Sequence, residues 1–147
     1  MPQTYVKKIL DARIYDLALE TPVDRAPILS QRLGNQVLLK REDLQPVFSF
    51  KLRGAYNKLR QLSVSQLAAG VIAASAGNHA QGLALAAQKM GVKATIVMPK
   101  TTPLIKVDAV RGWGAKVVLH GDNYDTAAAH ANALIAQEGL TYIHPFD

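Results

Sequence analysis

From Val71 onward the chain alternates short apolar runs with amphipathic segments of helical length, and this rhythm constrains its fold more than any other feature. Val71-Ile72-Ala73-Ala74, Thr95-Ile96-Val97-Met98, Val117-Val118-Leu119 and Thr141-Tyr142-Ile143 have strand length and mostly lack polar alternation. Such runs belong to strands covered on both faces. The intervening segments 79–90, 103–112 and 122–137 read as helices, closed by Gly91, Gly112 and Gly139. Strand and helix in strict alternation imply β-α-β units, hence an α/β fold with an open parallel β-sheet and helices on both faces.

The first 45 residues do not share this rhythm. Val6, Ile9, Leu10, Ile14, Leu17 and Ala18 are spaced as on one helix, ended by Thr21-Pro22, with 24–27 read as loop. A helical turn at 30–33 closes at Gly34, and 37–40 is a strand candidate. Ser49 suits the N-cap of a helix reaching about residue 62. The division expected is an amino-terminal arm, 1–45, and an α/β lobe, 46–147.

Composition narrows the function classes. The charge of +6 sits mainly in residues 1–60, yet its bases are dispersed through amphipathic segments. They lack the clustering with exposed aromatics that nucleic-acid binding favours. No apolar run reaches the roughly 20 residues of a membrane span, and none near the amino terminus has signal-peptide character. The absence of cysteine excludes disulfides and zinc–thiolate sites. The expectation is a cytoplasmic protein without nucleic-acid or membrane partners.

Two segments carry candidate chemistry. Ser75-Ala76-Gly77-Asn78-His79-Ala80-Gln81-Gly82 falls where a parallel strand ends and a helix begins, the usual ligand edge of such sheets. Gly77 would allow a tight turn and close approach to a ligand. The first N–H groups of the helix would favour an anion, with Ser75 and Asn78 adding donors. A merely capped strand–helix turn is the competing reading. Lys51 lies near a helix start between Phe50 and Leu52, a setting that disfavours an ammonium and suits a Schiff-base lysine. An ordinary exposed lysine is the competing reading there. Gly54, within the same helix, hints at close packing.

The run Ser49-Phe50-Lys51-Leu52-Arg53-Gly54-Ala55 together with 75–82 resembles the threonine/serine dehydratase family, the second fold type of pyridoxal-phosphate enzymes. Further matches are Leu39-Lys40-Arg41-Glu42-Asp43-Leu44-Gln45-Pro46, Ile96-Val97-Met98-Pro99, Lys106-Val107-Asp108-Ala109 and Pro145-Phe146-Asp147. The resemblance implies a tryptophan-synthase-β-like fold and pyridoxal 5'-phosphate as cofactor. It implies that Lys51 binds the cofactor aldehyde and later removes the substrate α-proton. Phe50 would pack on the pyridine ring, and Asn78 would bond the phenolic oxygen. Ser75, Ala76, Gly77, Asn78 and His79 would form the loop that grips the carboxylate of threonine or serine. Alanine at position 76, where related racemases commonly hold a second serine, points to a dehydratase.

The family pattern continues beyond what this sequence holds. Its glycine-rich phosphate loop, its serine near the pyridine nitrogen and its isoleucine-sensing region have no counterpart here. The chain therefore resembles the amino-terminal part alone, and its arm is expected to leave apolar surface uncovered, giving self-association or marginal stability. Two expectations stand: a threonine dehydratase portion of biosynthetic type, or a non-catalytic α/β module that associates without retaining cofactor.

Overall fold

The computed structural model describes residues 2–146; Met1 and Asp147, the last residue of the Pro-Phe-Asp motif, lie outside the described residues. Four parallel strands form the main sheet: β3 (Val71–Ala74), β4 (Ala94–Met98), β5 (Lys116–Leu119) and β6 (Thr141–Tyr142). Their spatial order is β5-β4-β3-β6. Helices α5 (Asn78–Met90), α6 (Leu104–Gly112) and α7 (Tyr124–Glu138) follow β3, β4 and β5 in turn. The expected α/β class, with a parallel sheet covered on both sides, is what the chain adopts.

Alternate side chains of β3 and β4 go to opposite faces, as the pleat requires. Val71, Ala73, Ile96 and Met98 join a core with α5, with α6 through Val107 and Val110, and with α3 (Lys51–Arg60) through Ala55, Tyr56 and Leu59. Ile72, Ala74 and Val97 face Ala127 and Ala131 of α7 on the other side. With both faces covered, β3 is buried at every residue, which explains its unbroken apolar sequence. Removing each large side chain of this core from water stabilises the fold by roughly 1.5–3 kcal/mol.

The helix boundaries have local causes. Gly91, at φ 67°, ends α5 in the left-handed conformation that favours glycine. Asn123 and Thr126 form a reciprocal capping box at the start of α7. A helix that the sequence reading left out, α4 (Val64–Ala69), begins at the same kind of box, Ser63 with Gln66. Its signal was present in Ser63-Val64-Ser65-Gln66 but lies in a segment without strong periodicity.

The arm departs from expectation in two places. The single helix over 6–19 is instead α1 (Pro2–Asp11) and a separate 3-10 turn at Ile14–Asp16. Arg13 breaks them apart with φ −86°, ψ 43°, and its guanidinium pairs with Asp16. Residues 24–27 are not a loop. Val23–Arg25 form β1, antiparallel to β2 (Leu38–Lys40), and Pro27 opens α2 (Pro27–Leu33). Two extended runs 15 residues apart paired where the sequence alone showed only one strand.

One polar contact holds the arm together and a second fastens it to α3. Gln45, only 1% exposed, accepts from the Leu19 N–H at 2.9 Å and donates to the Leu19 carbonyl at 2.8 Å. Glu42 receives both Nε and Nη2 of Arg53, at 2.8 and 2.9 Å, together with the Thr21 hydroxyl at 2.6 Å. Such a fork is stronger and more directional than a single charged contact. It holds the Glu42 carboxyl down to about 2, against an ordinary 4.5; the Arg53 hydrogen bonds are the largest cause and the Thr21 hydroxyl adds to them.

The close packing expected at Gly54 is found elsewhere. A Cβ on Gly54 would meet nothing within 4 Å, whereas one on Gly82 would stand 2.8 Å from the Leu52 nitrogen and 3.0 Å from the Lys51 carbonyl carbon. Helix α5 therefore crosses the first turn of α3 backbone against backbone. Gly82→Ala is expected to destabilise the chain by about 1–3 kcal/mol, since the obstacle is main chain. Gly54→Ala is expected to stabilise by up to about 1 kcal/mol; urea unfolding of the two variants checks both. A second expectation concerns acid. The stability contributed by Glu42 is complete above pH 4.5 and is lost as pH falls from there toward 2. Glu42→Gln should flatten the fall of stability over that interval, measured by urea midpoints across pH.

Candidate functional site

The chain runs from β3 through β4 to β5 in one direction, then returns under α7 to place β6 on the other side of β3. The gap beyond the carboxyl ends of β3 and β6 is thus a topological switch point, where open sheets leave room for ligands. The 75–79 loop leaves β3 into this gap, and Ile143 to Phe146 leave β6 into it.

Lys51 reaches the same place from α3. Its backbone N–H donates to Ser49 Oγ at 3.2 Å, so Ser49 acts as a turn acceptor just ahead of the helix. Its Nζ donates to the Pro145 carbonyl at 2.8 Å and lies 5.7 Å from the centroid of Phe50 and 5.3 Å from that of Phe146. Two adjoining hollows meet at this side chain. One, of about 300 Å³, is walled by Phe50, Gly54, Lys58 and His144; the other, more open, by Ser75, Ala76, Asn78 and Tyr124. Lys51, His79, Pro145 and Phe146 border both. The empty space over Gly54 belongs to the first hollow, which accounts for a glycine there that packs against nothing.

The loop residues divide into two kinds. Ser75 Oγ accepts from the Gly77 N–H at 3.3 Å and shapes the turn. Gly77 has φ −130°, outside the left-handed region that only glycine readily adopts. A Cβ there would meet nothing within 4 Å, and glycine instead keeps the space above the loop open. No side chain caps α5. The N–H groups of Asn78, His79 and Ala80 have no acceptor among the described residues, nor has the exposed Asn78 carboxamide a partner. Partial positive charge at an uncapped helix start favours an anion.

His79 behaves differently from its neighbours. Its side chain is buried and its Nε2 stands 3.0 Å from the Ile143 carbonyl. A carbonyl only accepts, so Nε2 carries the proton. Burial lowers the proton affinity of the ring below its ordinary 6.5, and the nearby charge of Lys51 adds to this. A neutral imidazole thus ties the loop after β3 to the end of β6.

The sequence reading missed Tyr124, Ile143, His144, Pro145 and Phe146 as wall residues. Tyr124 opens α7 near Tyr142, whose phenol is raised above 10.0, first by burial and then by this neighbour. The strand order, in which β6 lies beside β3, brings residues 143–146 to Lys51. Among the described residues no cluster of three or more histidines or carboxylates could hold a metal ion. An amine, an aromatic face and an unpartnered carboxamide around one hollow, beside an anion-favouring helix start, fit the aldehyde and ring of pyridoxal phosphate and the carboxylate of an amino acid.

Comparisons with known proteins agree with this geometry. The family described as pyridoxal-phosphate dependent enzyme matches residues 14–147. A chloroplastic biosynthetic threonine dehydratase of Arabidopsis thaliana is 60% identical over 143 residues, which are 97% of this chain and 24% of that protein. A biosynthetic L-threonine dehydratase of Burkholderia multivorans is 60% identical over 146 residues, 97% of this chain and 29% of that protein. The chain spans about a quarter of the length of these curated relatives. Among solved structures, the processed form of threonine deaminase isoform 2 from Solanum lycopersicum superposes with a TM-score of 0.93 at 56% identity, covering 98% of this chain and 42% of that one. A parallel sheet with a lysine and an open anion-favouring loop at its switch point, and a family match over nearly its whole length, lead to one conclusion: the chain belongs to the pyridoxal-phosphate-dependent enzymes.

Proposed function

We propose that this chain is the lysine-bearing part of an L-threonine dehydratase of biosynthetic type, which converts threonine to 2-oxobutanoate and ammonia by β-elimination and so feeds isoleucine synthesis. Serine would give pyruvate by the same steps. The observation that carries this reading is the convergence of Lys51 Nζ and the uncapped start of α5 on one site. Bound there, pyridoxal phosphate supplies the electron sink for the pair left when the α-proton departs.

The chain's own groups then have distinct tasks. Lys51 Nζ, now donating to the Pro145 carbonyl, is the amine that would hold the cofactor by its aldehyde and, once freed by the substrate amine, would serve as the base for the α-proton. Phe50 would offer its face to the cofactor ring, and the Asn78 amide would donate to the phenolic oxygen. The N–H groups of Asn78 and His79, with Ser75, hold the carboxylate and orient the α-hydrogen toward Lys51. Ala76 offers no proton donor to the opposite face, which favours elimination over racemisation. His79 holds the loop in place without itself moving a proton.

In this reading residues 1–45 belong to the larger lobe of the whole enzyme and 46–147 to the smaller. The enzyme is a cytoplasmic homo-oligomer. Exposed apolar side chains on the arm, Ile9, Leu10, Ile28 and Leu33, support association. None of the helices among the described residues is long and apolar enough to cross a membrane. The Lys51–Pro145 contact favours a second reading, a module that folds without holding cofactor.

Titration with pyridoxal phosphate, borohydride reduction and peptide mass spectrometry separate the two readings. A single stoichiometric adduct at Lys51, lost in Lys51→Ala, is expected; labelling scattered over many lysines contradicts the enzyme reading. The pH dependence of stability tests the part given to His79. Its proton affinity is lowered on folding, so its contribution is complete above pH 6.5 and is lost as pH falls below that value. His79→Gln retains an N–H donor for Ile143, and its urea midpoint is expected to decline less between pH 6.5 and 5 than that of the parent chain.

A further inference from the structure

The first turn of α3 carries the reactive amine, yet the helix does little by itself to hold that turn. It has no side-chain cap at Phe50 and no acidic residue in its first turn. Lys51 and Arg53 instead place two cations at the end where the helix dipole is already positive. Helix ends fray first, and this one has local reasons to do so.

The compensation comes from outside the helix. Glu42 supplies the missing anion, and its carboxylate is saturated by Arg53, by the Thr21 hydroxyl and by Gln45 Nε2 at 3.2 Å. Arg53 extends the unit by donating from Nη2 to the Leu19 carbonyl at 3.0 Å, the atom that Gln45 also holds. Arg53 and Glu42 are only 19% and 16% exposed, so the fork is shielded from solvent more than a surface pair. The guanidinium also lies 5.2 Å from the Tyr15 ring. The backbone of the same turn also rests against Gly82. The turn is thus held by backbone packing and by a charged latch together.

We propose that Glu42 and Arg53 are positioning residues for Lys51: the latch between arm and α3 fixes the first turn of the helix, and through it the direction in which the amine meets the cofactor. The proposal rests on the role given to Lys51 above. A purely structural pair would alter the folded fraction alone. A positioning pair alters the reactivity of Lys51 in chains that remain folded, because small misplacements of a reacting group cost far more rate than stability.

The test uses Glu42→Gln and Arg53→Lys in the 147-residue chain. The first keeps shape without charge, and the second keeps charge without the fork. The rate of borohydride-trapped pyridoxal phosphate addition at Lys51 is measured at matched folded fraction, set by circular dichroism. Backbone hydrogen exchange is followed in parallel across residues 50–55 and across α5. The expected result is a fall of roughly tenfold or more in Lys51 labelling, with faster exchange at 50–55 and none in α5. Glu42→Asp should restore part of the labelling. Unchanged labelling in folded variants, or exchange that rises equally in α5, overturns the latch. Should either variant be too unstable to label, the exchange pattern of the other decides. Failure of the parent chain to label at Lys51 would count against the functional reading, and the exchange pattern would then judge the latch separately.

Discussion

Gly82 lies so close to the backbone of Lys51 and Leu52 that a single added methyl group would collide with main-chain atoms. That contact sets the crossing of α3 and α5, and most of the site follows from it. Helix α5 begins at the loop leaving β3, α3 begins at Lys51, and the crossing brings these two starts to one hollow. Both helices point their positive ends in its direction, which suits a pocket meant for a carboxylate and for a cofactor rich in oxygen acceptors.

The rest of the fold supports this arrangement in layers. Buried small residues, among them Ala80, Ala84 and Ala87 of α5, let the helix lie close on the sheet. The return of β6 beside β3 opens the gap at their carboxyl ends, and His79 closes one side of it through the Ile143 carbonyl. The charged latch at Glu42 then connects this frame to the arm. Each contact works on a different range: packing fixes the helices, strand order fixes the gap, and hydrogen bonds set the side chains within it.

Much of this was legible in the sequence because it is locally encoded. The unbroken apolar runs of β3 and β4 announced strands buried on both faces, and the Ser-Phe-Lys and Ser-Ala-Gly-Asn-His runs marked the lysine and the loop. What escaped was set by contacts between distant residues. Val23 to Arg25 become a strand only by pairing with Leu38 to Lys40. Pro145 and Phe146 become neighbours of Lys51 only through the order of the sheet. Glycine was informative at two positions, but its meaning could not be read from residue type. Gly54 leaves space where close packing was expected, and Gly82 packs where no expectation was made. A glycine in a helix shows that a Cβ is unwelcome or unneeded, and the surroundings decide which.

Visible-region circular dichroism of the cofactor, followed as pyridoxal phosphate and then L-threonine are added to the chain, tests most directly whether lysine and loop share one asymmetric site. A cofactor held at Lys51 beside the 75–79 loop should acquire a circular dichroism band that changes on adding L-threonine and responds much less to the D-enantiomer. A cofactor that stays optically inactive, or that responds equally to both enantiomers, would contradict the convergence of Lys51 and the α5 loop on a single amino-acid site.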